Sequence, residues 1–268
     1  MAITTVDGAL AGMQPPREFY KAVTGTLVAG RPHSLFYTAG IPGAAVAPTP
    51  GIGGAVLTSY AGQIPFTNPG SGNTYLARFL GQATQAGTLL LCDRLWHNSG
   101  ITITSTSPQA LTGSAQIPAR DANGTNAGEG VFAGVEVSAQ TGAGTPTLTL
   151  TYTDQSGNPN ATATNVVATV ATSIVGTFYP IGLAAGDTGI RQATSFQLSA
   201  TWTSGTIHIV LYRILARIEL STALVPMAVD ALTGGFVRMY NDTVPFVIFI
   251  PNTTTTSNIN GQVIWTQG

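Results

Sequence analysis

Charge is what this sequence has least of. Asp, Glu, Lys and Arg together make up 8% of its 268 residues, against about 25% in an ordinary soluble domain. The ten basic residues are scattered and the net charge is −1, which argues against nucleic acid as a ligand, since phosphate binding needs clustered Lys and Arg. Lysine is almost missing: Lys21 stands alone and every other basic residue is Arg. Interfaces share that bias and free surfaces rarely do. A single cysteine, Cys92, excludes an internal disulfide. No run of about 18 apolar residues exists, and the densest stretch, Val244 to Ile250, is interrupted by Pro245, so no transmembrane helix is expected. The start, Met1-Ala2-Ile3-Thr4-Thr5-Val6-Asp7, lacks the basic opening and apolar core of a secretory signal, which places synthesis and assembly in a cytoplasm. No repeat of fixed period is found, which counts against a repetitive fibre shaft.

What is present is apolar and β-prone. Hydrophobic residues are 44% of the chain and mean hydropathy is +0.25. A lone monomer of 27.5 kDa exposes roughly 11,000 Å² by mass scaling, and 21 charged side chains are few for that area. Neutral Thr, Ser, Asn and Gln, together with partner subunits, must cover the rest.

Three parts are expected along the chain. Residues 1–72 are dense in Pro and Gly, as in Gln14-Pro15-Pro16-Arg17 and Pro48-Thr49-Pro50-Gly51, so long regular elements are excluded. Interspersed Phe19, Tyr20, Leu35, Phe36, Tyr37, Leu57, Tyr60, Ile64 and Phe66 nevertheless demand burial, and the segment reads as an extended arm with short strands. Residues 73–220 form a β-sandwich core. Thr147 to Thr153 alternates between Thr and a larger apolar residue, the signature of a half-buried strand. Thr88 to Cys92, Ile101 to Thr104, Val131 to Val137, Val166 to Val170 and Val175 to Ile181 supply further strands, and Phe196–Trp202 with Ile207–Leu215 reads as a hairpin. Residues 221–268 carry strands such as Phe246 to Ile250 that dock on the core or on a neighbouring subunit. The fold class is therefore all-β, an antiparallel sandwich or jelly roll.

No residue set organises chemistry. Cys92, Asp93 and His97 lie close together, but neighbours on a strand point to opposite faces and no second ligand pair occurs. Asp121 to Gly130 has oxygen side chains without the spacing of a calcium loop. A Gly-x-Ser-x-Gly elbow is absent; His33, His97 and His208 are each a conceivable base, but His208, alternating with Ile207 and Ile209, reads as a strand-face histidine. Gly51-Ile52-Gly53-Gly54 is a turn, not a phosphate loop. Glu129, Glu136, Asp154 and Asp187 are carboxylates that sequence does not bring together across a cleft. Asn123-Gly124-Thr125 and Asn252-Thr253-Thr254 match glycosylation sequons by chance. Catalytic, cofactor and metal residues are thus expected to be none, and the chain is not expected to be an enzyme or to take a small-molecule substrate.

Asn73-Thr74-Tyr75-Leu76-Ala77-Arg78-Phe79, Leu89 to Gly100, and Gly182 to Arg191 resemble structural proteins of tailed bacteriophage virions, a likeness of style that spans most of the chain. The resemblance implies a virion component assembled in the host cytoplasm. Within that class it implies a capsid cement or decoration protein, homo-oligomeric and bound to the major capsid protein. A tail or fibre protein that binds host-surface carbohydrate is the alternative.

Overall fold

The computed structural model describes residues 3–268. Three antiparallel sheets carry the chain. The central sheet runs β11 (Phe178–Ile181), β8 (Val131–Ala139), β13 (Thr206–Leu220), β6 (Gly87–His97), β16 (Pro245–Pro251) and β2 (His33–Ser34), with β4 (Ala55–Val56) also on β6. A second sheet has the order β14 (Met227–Asp230), β5 (Thr74–Ala83), β17 (Ser257–Gln267), β1 (Arg17–Val23) and β3 (Gly40–Ile41), with β15 (Arg238–Met239) beside β5. The third is β10 (Ala161–Thr164), β9 (Leu148–Asp154), β12 (Ile190–Leu198) and β7 (Gln109–Ala110). Two helices are short, α1 (Val6–Ala11) and α2 (Ala231–Gly234).

The long strands β6 and β13 serve two cores. Leu95, Trp96, Ile207, Ile209 and Leu211 pack with Leu148, Leu150, Phe196 and Leu198 of the third sheet. Further along the same strands, Leu89, Leu91, Leu215, Ile218 and Leu220 pack with Phe79, Val263 and Trp265 of the second sheet. Register shifts fall between Leu211 and Tyr212 and between Ile214 and Ala216. A bulge of one residue moves every following side chain to the other face, so the shifts let one strand address different partners along its length. On the alternate face, Cys92, Val210, Tyr212, Phe246 and Ile248 form a third cluster with Phe36 and Phe178.

The extended arm expected in the first 72 residues is not what the structure shows. Strand β1 lies inside its sheet between β17 and β3, in register from Arg17↔Val263 to Val23↔Ser257. Phe19, Val23, Leu27, Leu35 and Ile64 join the second-sheet core, while Phe36 is buried and Tyr37 and Tyr60 pack on the third cluster. Pro and Gly density correctly signals irregular backbone. It carries no information about where the apolar side chains between them go, and here they are buried against the chain's own sheets at about 1.5–3 kcal/mol each.

The hairpin expected from Phe196 to Leu215 is also corrected. Phe196 and Leu198 pair with Leu150 and Leu148 in the third sheet, whereas Ile207 and Ile209 pair with Val137 and Val135 in the central one. The connection crosses between layers, and Trp202, fully buried, fills the corner: its N–H groups donate to Ile103 O and Val170 O. Ile101 to Thr104 and Val166 to Val170 are irregular. Beside the latter, the Asn165 side chain accepts from Leu148 N and donates to Val167 O, standing in for ladder bonds.

Candidate interaction surface

Eight of the 21 charged side chains are buried: Lys21, Asp93, Arg94, Arg120, Asp121, Glu136, Asp154 and Arg213. Thirteen remain for an accessible surface of 10444 Å². The arginine bias is thus taken up in part by the interior. Arg120 donates to Asp93 through Nε and Nη2, and to the carbonyls of Leu57, Arg94 and Asp242. Arg94 pairs with Glu136 at 2.7 Å with both side chains fully buried, and its guanidinium lies 4.4 Å from the centre of the Phe36 ring. A planar guanidinium holds its five donors in a fixed fork that matches a carboxylate and neighbouring carbonyls together, a geometry an ammonium does not offer.

The residues that looked chemical in the sequence fall into these interior networks. Cys92 sits in the third cluster, its thiol raised by burial and then by Asp93. Asp93 faces Arg120 and accepts from Val244 N at 2.9 Å. His97 accepts from Arg94 Nε at 3.2 Å and meets the Tyr60 ring edge-on at 4.7 Å. The three do not converge, and no group of three metal-ligating side chains occurs among the described residues. In the Asp121 loop the carboxylate is enclosed by donors from its own chain: Asn123 N, Thr125 N and Oγ1, Gly128 N and Glu129 N. Burial opposes its ionisation, yet these hydrogen bonds, Thr125 foremost, hold its pKa below the ordinary value. The loop closes on itself and leaves no oxygen cage for a cation.

The remaining carboxylates are separately engaged. Glu136 belongs to Arg94, Asp154 caps its own turn through Ser156 N and Asn158 N, Asp187 accepts from Tyr152 Oη at 2.7 Å, and Glu129 accepts from Thr188 Oγ1 at 2.6 Å. One contact has the outline of a nucleophile and base, a pattern not legible in the sequence because its members lie 70 positions apart. Ser138 Oγ and His208 Nε2 are 2.6 Å apart, and His208 Nδ1 lies 2.9 Å from Asn98 O. His208 is 1% exposed, and burial lowers its pKa to about 4. A buried imidazole held between a strand hydroxyl and a carbonyl is a satisfied core histidine.

The outside tells a different story at the edge of the second sheet. Thr5 caps α1 by accepting from Gly8 N at 3.0 Å, and Thr266 Oγ1 donates to Ala9 O at 2.6 Å, which pins the helix to β17. Gly12 makes the close approach possible, since a Cβ there would come within 2.2 Å of Gln267 O. Held this way, Val6 and Leu10, one helical turn apart, point outward with 68% and 62% of their surfaces exposed. Asp230 caps α2 by accepting from Leu232 N and Thr233 N, and Leu232 projects 84% exposed. Phe236, 45% exposed, stands edge-on to Tyr75 at 6.2 Å.

These groups bound an open groove of about 600 Å³, whose only charged lining residues among the described ones are Arg78 and Asp230. Leu224, Val225 and Met227, on β14 and the segment before it, are exposed as well. Single exposed apolar residues are ordinary on a protein surface, but a contiguous patch marks an interaction site.

No family model matches the chain, and no curated protein matches it. Among solved structures, similar ones come from infectious bursal disease virus. They are a VP2 subviral particle (8% identity, 96% of this chain and 81% of that one, TM-score 0.24), a T13 viral particle (9%, 96% and 78%, TM-score 0.23) and derived T=1 particles (10%, 96% and 79%, TM-score 0.20). Similarity this slight assigns no shared function. Among the described residues no helix is long and apolar enough to cross a membrane.

Proposed function

We propose that this chain is a non-enzymatic structural subunit of a viral particle, and more finely a cement or decoration protein that bridges major capsid subunits of a tailed phage. The observation that carries the reading is the apolar groove edge, Val6, Leu10, Leu232 and Phe236, exposed on a protein that leaves only thirteen charged side chains outside its core. These side chains are 45% to 84% exposed, and burying what remains is worth on the order of 4–8 kcal/mol gross. Association of two free proteins costs an estimated 4–15 kcal/mol. A single contact of this size is therefore marginal, and it becomes firm when many are made together over a closed assembly. The phage assignment rests on the sequence resemblance alone.

The test is co-sedimentation of the purified chain with capsids, paired with the double variant Leu10→Asp and Leu232→Asp. The unaltered protein should bind particles or self-associate, and the variant should remain monomeric and unbound with its fold intact. A chain that stays monomeric at high concentration and never co-sediments with particles removes the assembly reading. Labelling confined to the tail, with glycan binding, replaces the cement role by the receptor-binding one.

A further inference from the structure

A second cleft, of about 510 Å³, opens between the segment that leads into β2 and the loop before β11. It shares no lining residue with the apolar groove, so what it does is independent of the assembly reading. Its volume falls within the usual range of small-molecule sites, roughly 300–1,000 Å³.

The lining is chemically one-sided. Among the described residues, Arg31 and His33 are its only charged or titratable side chains, and its lining includes no carboxylate. Arg31 takes no part in the three ion pairs among the described residues, and its Nε is buried with no hydrogen-bond partner there. His33 is 3% exposed, its ring edge against Gly176, where a Cβ would come within 2.5 Å of Nε2. Gln140 and Thr172 form an exposed polar rim, whereas Thr177 is buried and the buried Ser173 hydroxyl is committed to Val170 O and Tyr179 Oη; Leu27 and Ile174 supply an aliphatic floor. Thr172 has φ of 54°, a left-handed backbone rare for a β-branched residue. Its N–H is tied to Gly142 O at 3.0 Å, which holds the rim in that shape.

We propose that this cleft binds a sugar acid, with the Arg31 guanidinium receiving the carboxylate and the hydroxyl and amide groups of the rim receiving the ring hydroxyls. An unpaired guanidinium presents two parallel donors that match a carboxylate, and a polar rim over an aliphatic floor suits a ring with polar edges and apolar faces. Burial holds the His33 pKa down at about 4. The enclosed ring, packed on Gly176, is therefore neutral near pH 7, and the positive charge of the cleft is that of Arg31.

Glucuronate, glucose and inorganic phosphate are titrated into the full chain while NMR follows the His33 ring and the Arg31 side chain. Glucuronate should shift both signals, glucose should bind roughly tenfold more weakly or worse, and Arg31→Gln should weaken glucuronate by a similar factor with an unchanged melting temperature. Arg31→Lys, which keeps the charge without the fork, should retain part of the affinity. Glucose binding as well as glucuronate, phosphate binding more tightly than glucuronate, no shift with any probe, or an Arg31→Gln chain that binds like the parent each overturns the proposal.

Discussion

Lys21 Nζ donates to the Pro42 carbonyl oxygen across 2.6 Å, and to Thr38 O at 3.0 Å. The single lysine of the chain, 3% exposed, thus ties strand β1 to the turn that follows the Phe36–Tyr37 pair. Its ammonium lies inside the fold rather than on the solvent face where lysines usually sit.

Replacing Lys21 by Met strands these carbonyls, and an unsatisfied buried acceptor costs about 1–3 kcal/mol. Chemical denaturation should show a loss of that size, and amine-directed reagents should leave Lys21 unmodified in the native protein. Burial lowers its pKa to about 8 from 10.5. The unfolded chain then holds the proton more tightly, and the lysine's contribution to stability rises from pH 8 to pH 10.5. In the Lys21→Met chain that rise should disappear.

The Arg94–Glu136 pair predicts non-additivity. Glu136→Leu leaves the Arg94 guanidinium buried without its carboxylate, and Arg94→Met leaves the carboxylate alone. Each single change should destabilise by about 3–5 kcal/mol, and the double variant should recover much of the loss. A double-mutant cycle by denaturant unfolding measures the coupling; additive losses would show that the two charges do not support each other.

All three histidines are buried. Burial brings His33 and His208 down to about 4. His97 reaches about 2 through burial, then the nearby Arg94 and His208. Each is therefore neutral in the folded protein at pH 6, while the unfolded chain protonates near 6.5. Below 6.5 the unfolded state binds more protons, so stability falls with pH, by up to about 1.4 kcal/mol per unit for each histidine. The loss from His33 and His208 levels off near pH 4. Calorimetry from pH 7.5 to 4.5 should show a falling Tm, and His208→Gln should flatten the slope.

Ser138 tests the non-enzymatic reading. With His208 enclosed, the Ser138 hydroxyl should not react with a fluorophosphonate, and Ser138→Ala should cost only about 1 kcal/mol, the worth of one hydrogen bond. Stoichiometric labelling that His208→Gln abolishes would mark the pair as a reactive dyad.

Some of this could be read directly along the chain. Alternation from Thr147 to Thr153 located β9, whose burial alternates in step, and the run from Thr88 to His97 located β6. Ile101 and Ile103 alternate as well, yet both are buried in a turn, because period-two patterning reports which side chains are buried and not what the backbone does between them. The groove was less legible: Val6, Leu10, Leu232 and Phe236 look like any other apolar residues until the ends of the chain are brought to one sheet edge. The cleft at Arg31 was invisible for the same reason, since its walls come from segments some 140 positions apart.

By itself, the sequence determined an all-β protein poor in charge, without paired cysteines and without a long apolar helix, because those properties depend on composition and on neighbours two positions away. Only the tertiary structure decided that β1 lies beside β17, that the Pro- and Gly-rich beginning folds onto its own sheets, and that eight of the charges are enclosed. Strand partners hundreds of residues apart are selected by the burial that their pairing makes possible, a quantity that exists only once the whole chain has come together.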